Sequence, residues 1–171
     1  LRKLIFIFTV LLFLPLLNME IVHGLSTGLG YYFQRFEFNA SIYYLIREVG
    51  YLIAGFNIIE FAGPMLAIIA TLAILNVSFR VFKSSGEDPN KPVVFEGMLW
   101  CLFIYFLSAT TLHPWYIITL IAIAVFTPYR FPVIWSGLIF LTYAGYTKYS
   151  FKENLPLVAM EYIIVFGYVL Y

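Results

Sequence analysis

Long apolar runs follow one another along most of this chain, and only short polar stretches separate them. The sequence is 63% hydrophobic and 11% charged over 171 residues. A soluble domain usually carries about 25% charged and about 45–50% apolar residues. The composition therefore predicts an integral membrane protein.

Six segments approach the length of a membrane span, which needs roughly 20 apolar residues. They are residues 2–18, 63–82, 94–111, 114–129, 131–147 and 155–171. Proline costs no hydrogen bond in the first turn of a helix, so Gly63-Pro64, Pro132 and Pro156 predict helix starts. We predict an all-α fold, a polytopic membrane helix bundle of about six spans.

Residues 19–62 form neither a plain loop nor a clean span, and they are rich in Phe and Tyr. Asn39 is predicted to cap a helix that starts at Ala40. Apolar residues then recur at three- and four-residue steps as far as Ile53, and Gly55 is predicted to end the helix. A helix with one apolar face tends to lie in the membrane surface. We predict an outer interfacial segment over 19–62, with one interfacial helix on the non-cytoplasmic side.

The basic residues are scattered rather than clustered, which excludes nucleic acid as a partner. They favour a cytoplasmic N-terminus by a thin margin, because that orientation places six of them inside and four outside. The single Cys101 excludes a disulfide framework and a Cys-based metal site. The sequence opens at Leu1 rather than Met, so we expect residues 1–171 to be one transmembrane domain at the C-terminal end of a longer chain.

The motif His113-Pro114-Trp115-Tyr116 stands at the break between two apolar runs. Trp and Tyr favour the boundary between membrane and water because each has an apolar ring and one polar atom. Pro114 suits the first turn of a helix. The motif predicts a helix start at the membrane surface beside a titratable imidazole. On these residues alone, His113 could instead be a helix-capping residue, and Trp115 and Tyr116 plain interface anchors.

Arg47 is the candidate binding residue of the outer segment. A guanidinium presents a planar fork of donors that matches a phosphate, so Arg47 could hold the phosphate of a lipid-linked substrate. The alternative is that it pairs with Glu48 or with lipid headgroups. The carboxylates predicted on this side are candidate bases or metal ligands, and equally solvated interface residues. They are Glu20, Glu37, Glu48 and Glu60.

Three polar side chains fall inside the predicted spans, namely Asn76, Glu96 and Glu161. Polar groups are costly within a membrane and mark functional sites by default. Glu161 lies only six residues into its predicted helix, so we expect it to reach the outer interface. Such a small number of polar groups does not favour a transporter.

Two stretches, residues 32–44 followed by Arg47 and residues 108–116 with the helices after them, resemble a known family. They are similar to the C-terminal part of multi-span mannosyltransferase-like proteins found in the Bacteroidetes. Those proteins resemble the GT-C glycosyltransferases, which use polyprenyl-phosphate sugar donors. The resemblance covers roughly residues 27–147.

The resemblance implies mannosyl transfer from a polyprenyl-phosphate sugar to a glycan or lipid acceptor, at the outer face of a bacterial inner membrane. Its partners would be membrane lipid, the lipid-linked donor and the acceptor, and no other cofactor or metal is implied. The substrate-binding residues would be Arg47, His113, Trp115 and Tyr116.

The catalytic residue stays unassigned. In this family the catalytic acid lies in an early outer loop, so we expect this part of the chain alone to be inactive. The alternative functions are a non-catalytic membrane subunit or scaffold and, less favoured, a small-solute transporter.

Overall fold

The structure, a computed structural model, describes residues 2–14, 18–84 and 93–170. Within these ranges the chain is helical and contains no β-strand, which confirms the predicted all-α class. The chain divides into two compact units, Leu1–Phe36 and Glu37–Tyr171.

The first unit contains helices α1 (Arg2–Phe13) and α2 (Met19–Arg35). Helix α2 starts where the Asn18 side chain accepts a hydrogen bond from the backbone N–H of Glu20 at 3.0 Å. Helix α1 has 12 residues, fewer than the predicted span over 2–18. Residues 15–17 of that predicted span lie outside the described residues.

The second unit holds the remaining helices. They are α3 (Ser41–Ala54), α4 (Ile59–Ser84), α5 (Val93–Ser108), α6 (Ile117–Ala124), α7 (Phe131–Leu138) and α8 (Leu155–Leu170). A 3₁₀ turn, Pro114–Tyr116, leads into α6, and a second, Ile139–Gly145, extends α7.

One end of the second unit collects the segment before α3 and the connections around α5–α6 and α7–α8. Phe38 pairs with the α5–α6 connection, since its N–H donates to Thr110 at 3.0 Å and its carbonyl accepts from Leu112 at 2.7 Å. The α7–α8 connection reaches the same place, because Glu153 accepts a hydrogen bond from Tyr44 of α3. We call this end, formed by residues 37–58, 109–116 and 143–161, the polar end.

The prediction of about six membrane spans is not supported. Among the described residues, α4 is the one helix long and apolar enough to cross a membrane, with 26 residues. The other apolar helices have 10–17 residues, below or at the edge of the usual range of about 17–25. Hydropathy depends on composition alone, so an apolar segment counts toward a predicted span even where its backbone is not helical. Residues 109–112, for example, belong to an apolar run but extend alongside Phe38.

Proline predicted helix starts correctly in three places and wrongly in one. Pro114 opens the turn before α6, and Pro132 and Pro156 lie in the first turns of α7 and α8. Helix α4 begins instead at Ile59, and Pro64 lies inside it. The reason is that the Asn57 side chain accepts a hydrogen bond from the N–H of Ile59 at 3.1 Å and starts the helix earlier.

Helix α3 buries two adjacent tyrosines and leaves other apolar residues exposed. Tyr43 and Tyr44 are buried, whereas Leu45 and Leu52 are 72% and 86% exposed. As predicted, Gly55 ends the helix in the left-handed region, with φ of 76°, where glycine is favoured. The second unit therefore has an apolar outer surface as well as an apolar core, and the polar residues Asn39 and Glu161 are fully buried within it.

Helices α4 and α5 pack closely where Gly97 faces Val81. A Cβ at Gly97 would overlap the Val81 side chain, whereas a Cβ at Gly137 of α7 would meet nothing. We expect Gly97→Ala to lower the free energy of unfolding by about 1–3 kcal/mol through overpacking. Gly137→Ala is the matched control, because it brings the same gain in helix propensity and should be neutral or stabilising. Thermal unfolding in detergent measures both, and equal stability of the two variants would contradict this packing.

Candidate functional site

Three glutamates lie around the segment 37–44 at the polar end. They are Glu37, Glu153 and Glu161, and each accepts hydrogen bonds from side chains on other parts of the second unit. Sequence reasoning named Glu37 and Glu161 among its candidates but gave no role to Glu153, which stands in a polar connection like any solvated residue.

Glu37 is the carboxylate nearest to the candidate binding residue Arg47. It accepts a hydrogen bond from Arg47 Nη1 at 2.7 Å and another from the Asn57 side-chain amide. The Tyr43 hydroxyl lies 2.6 Å from both Glu37 Oε1 and Asn57 Oδ1. Since a hydroxyl carries one proton, it donates to one of these two acceptors at a time.

Arg47 uses its two edges differently. Nη1 binds Glu37, whereas Nε and Nη2 both point to Glu48 Oε1, at 3.3 Å and 3.0 Å. The guanidinium also lies over the Tyr44 ring, 4.5 Å from its centre. Burial lowers the pKa of Arg47, but the hydrogen bonds with Glu37 and Glu48 outweigh burial and raise it above the usual value. Arg47 is thus a fixed cation, and the pairing with Glu48 left open by the sequence is present.

Glu153 lies between helix α3 and the end of α7. Its Oε1 accepts from the Thr142 hydroxyl at 2.8 Å, and its Oε2 accepts from the Tyr44 hydroxyl at 2.9 Å. The N–H of Asn39 adds a longer contact of 3.4 Å to Oε2. Burial and the Glu153 charge raise the pKa of Tyr44 well above its usual range. Tyr44 therefore remains a protonated hydroxyl that donates to Glu153.

Glu161 is fully buried, so the expectation that it reaches the outer interface is wrong. Its carboxylate accepts from Trp135 Nε1 at 2.7 Å and from the Asn39 side-chain amide, 3.1 Å and 3.2 Å from its two oxygens. These two donors compensate for the loss of water around a buried carboxylate. They also explain why α8 turns this residue toward the core.

Asn39 connects these carboxylates and is not the helix cap predicted from sequence. Helix α3 starts after its N-cap residue Ala40 with no side-chain cap, and the NH₂ group of Asn39 donates to Glu161. Its backbone has φ of 48°, a left-handed conformation that Asn tolerates better than most residues. Its carbonyl accepts from the Tyr162 hydroxyl at 2.9 Å. Its buried Oδ1 has no hydrogen-bond partner within the described residues.

His113 lies between two aromatic rings. Its ring centre is 4.3 Å from that of Trp115, with the planes 8° apart, and 4.8 Å from that of Phe38. Burial lowers the pKa of His113 below 6.5, so its neutral form is favoured. It holds the N-cap position before Pro114 but makes no side-chain cap bond there, which does not support the capping alternative.

A band of aromatic rings follows the same end of the unit from Trp115 to Tyr146. His113 and Phe38 form its middle, and Phe38 stacks on Phe151 at 5.2 Å, which contacts Tyr146 at 4.6 Å. Trp115 and Tyr146 are 54% and 57% exposed, so the two ends of this aromatic band face outward.

An open groove of about 430 Å³ lies beside Glu153. It is lined by Ala144, Gly145, Thr147, Lys152, Glu153, Asn154, Leu155 and Pro156. A short hairpin forms part of its wall, since the N–H of Lys152 donates to the Gly145 carbonyl at 3.0 Å and that of Thr147 to Ser150 at 2.8 Å. Glu153, which lines the groove, also accepts the 3.4 Å contact from the Asn39 N–H.

The four predicted site residues all lie at the polar end. Arg47 joins it through Glu37, and His113 joins it through Phe38, the next residue in the chain, while Trp115 stacks on His113. Tyr116 meets the His113 ring edge-on at 5.6 Å. No group of three or more His, Cys, Asp or Glu side chains suited to a metal ion is found among the described residues.

Replacing Asn39 tests the centre of this network. Asn39→Gly keeps the left-handed backbone accessible but removes the amide that binds Glu161. A buried group that loses its partner costs about 1–3 kcal/mol, so we expect a loss of unfolding free energy of that size. Thermal unfolding in detergent measures it.

The matched control is Asn76→Gly, with the substitution on an exposed position of α4. That variant should lose only the helix propensity of one residue, up to about 1 kcal/mol. An Asn39→Gly variant that is as stable as the original chain would show that the amide contact with Glu161 contributes nothing.

Comparison with known proteins finds no match at any of three levels. No family model matches the chain, no curated protein matches it, and no solved structure matches it. A functional assignment for this chain therefore rests on its own residues and their geometry.

Proposed function

We propose that this chain is the membrane-embedded part of a glycosyltransferase that moves a sugar, mannose in our working assignment, from a polyprenyl phosphate to an acceptor hydroxyl. The observation that carries the proposal is the contrast between the two surfaces of the second unit. The polar end collects Arg47, His113 and three carboxylates, whereas large apolar side chains are exposed along the helices.

The exposed apolar side chains support a lipid surrounding. On α4 alone, Leu72, Phe79 and Phe82 are 62%, 69% and 82% exposed. Exposed apolar surface on this scale is unusual for a protein in water. Helix α8, with 16 residues, is about 24 Å long, and a bilayer accommodates such a short helix by local thinning.

Arg47 supports binding of the donor phosphate. Glu37 holds Nη1 and orients the guanidinium, while the Nε–Nη2 edge faces Glu48, the adjacent residue in the sequence. The Glu48 side chain is 53% exposed, whereas that of Arg47 is 15% exposed, and solvent around Glu48 weakens this ion pair. The donor phosphodiester has two non-bridging oxygens that share one negative charge, so it can displace Glu48 and bind this edge in a bidentate manner.

His113 and Trp115 support binding of the transferred sugar. A neutral imidazole both donates and accepts hydrogen bonds, as sugar hydroxyls require. The exposed Trp115 ring beside it offers an apolar face to a sugar or prenyl chain. The polar end thus supplies a cation for a leaving phosphate and neutral groups for the sugar.

The membrane orientation is tested by cysteine labelling in a Cys101→Ala background. Helix α4 is about 39 Å long from its start at the polar end to Ser84, so Lys83 and Lys152 belong to opposite ends of the second unit. We expect Lys83→Cys and Lys152→Cys to react with a membrane-impermeant maleimide from opposite sides of sealed vesicles. Reaction of both from one side would contradict the proposed embedding.

The enzymatic proposal is tested by sugar transfer in membranes that contain the full-length protein and polyprenyl-phosphate mannose. We expect Arg47→Ala to reduce kcat/KM at least about tenfold, because a charge-assisted hydrogen bond contributes about 1.5–3 kcal/mol. Glu37→Gln should also reduce transfer, since Glu37 orients Arg47. Glu48→Gln should increase it, because the phosphate no longer competes with a carboxylate.

The matched control is Arg80→Ala, since Arg80 is exposed near the distant end of α4. It should retain full transfer. Undiminished transfer by both Arg47→Ala and His113→Ala would remove these residues from the site, and no transfer by the unaltered protein would reject the enzymatic proposal.

A non-catalytic membrane subunit is the second candidate, and one observation favours it. Both edges of Arg47 already have carboxylate partners, so the guanidinium has a complete structural role without any phosphate. The Glu48→Gln variant separates the two functions. A structural Arg47 would lose a partner in that variant, and transfer or donor binding would not increase.

A further inference from the structure

We propose that the groove beside Glu153 binds a neutral sugar, with Glu153 accepting hydrogen bonds from sugar hydroxyls. The binding site follows from the groove itself. Only its use as the acceptor site of the transfer reaction rests on the proposed function.

The Glu153 carboxylate is held in position by neutral hydrogen-bond donors. Thr142 and Tyr44 each occupy one of its oxygens, and the described part of the chain gives it no cationic partner. A carboxylate offers about four acceptor positions, so capacity remains beyond these two short hydrogen bonds. Glu153 also lines the groove, where that capacity is available to a ligand.

The groove wall carries both signs of charge, which favours a neutral ligand. Lys152 lies beside Glu153, so a cation entering the groove meets an ammonium and an anion meets a carboxylate. Asn154 adds an amide, whose Oδ1 accepts from the N–H of Leu157 at 3.3 Å and whose NH₂ group supplies the donors. Donors and acceptors side by side match the hydroxyl groups of a sugar.

The groove lining also contains apolar groups, those of Ala144, Leu155 and Pro156. A sugar ring has a face of C–H groups that packs on an apolar surface while its hydroxyls reach polar groups at the edge. The groove volume of about 430 Å³ falls within the range of about 300–1,000 Å³ usual for small-molecule sites.

Gly145 keeps the groove wall in place. A Cβ at this position would meet the Lys152 carbonyl and the Phe151 ring, so the hairpin closes onto α7 only because residue 145 has no side chain. The hydrogen bond from the Lys152 N–H to the Gly145 carbonyl then fixes the chain just before Glu153. The site is thus formed before a ligand enters, which lowers the entropic cost of binding.

The test is saturation-transfer NMR on the full chain in lipid nanodiscs, with methyl α-D-mannopyranoside as the probe and no donor present. We expect saturable millimolar binding that weakens at least about tenfold in Glu153→Gln, through loss of hydrogen bonds to a charged acceptor. Asn154→Ala should weaken binding severalfold, through loss of the amide donors of the groove wall. Glu96→Gln, in the first turn of α5 at the opposite end, is the matched control and should bind normally.

Thermal unfolding accompanies each variant. If Glu153→Gln does not fold, Asn154→Ala decides, because the exposed Asn154 side chain makes no hydrogen bond with Glu37, Glu153 or Glu161. Absence of mannoside binding by the unaltered chain, or unchanged binding in Asn154→Ala, overturns the inference. So does Glu153-dependent binding of methylammonium or inorganic phosphate in place of the mannoside.

The binding assay needs no transfer activity, so either proposal can be rejected without rejecting the other. Glu153-dependent mannoside binding without any transfer would support the groove and reject the enzyme. Sugar transfer with no mannoside binding in the groove would support the enzyme and reject the groove as a sugar site.

Discussion

The contact between the Asn39 amide and the buried Glu161 carboxylate holds the polar end together. An isolated carboxylate in an apolar interior is very unfavourable, and the two donors that compensate for it, Asn39 and Trp135, come from distant parts of the sequence. Satisfying Glu161 therefore fixes the segment before α3 against α7 and α8. The left-handed backbone of Asn39 is the local cost of that arrangement.

Extended backbone next to Asn39 explains how one short segment contacts two kinds of surface. Successive side chains of an extended strand point to opposite sides. Glu37 and Asn39 accordingly contact the polar groups of Arg47 and Glu161, whereas Phe38 between them packs into the aromatic band. The guanidinium and the imidazole singled out from the sequence come to the same end of the unit because their partners are adjacent residues.

Local features were predictable from sequence, and long-range ones were not. Prolines and glycines have steric effects that act within a few residues, so the starts of α7 and α8 and the end of α3 followed from Pro132, Pro156 and Gly55. The role of Asn39 depends on a partner 122 positions away, and a local cap was the natural prediction. Nothing in the local sequence indicated a role for Glu153, because its donors Tyr44 and Thr142 lie in other helical segments. The predicted number of membrane spans was not supported because hydropathy depends on composition and does not show where a helix ends.

The position of Trp135 has a practical consequence for spectroscopy. The chain has three tryptophans, and Trp135 is the fully buried one whose indole N–H donates to Glu161. Its indole proton gives a resolved nitrogen–proton correlation whose chemical shift responds to the strength of that single hydrogen bond. A chain labelled with ¹⁵N-tryptophan thus carries a built-in reporter at its most protected polar contact, with no added dye or tag.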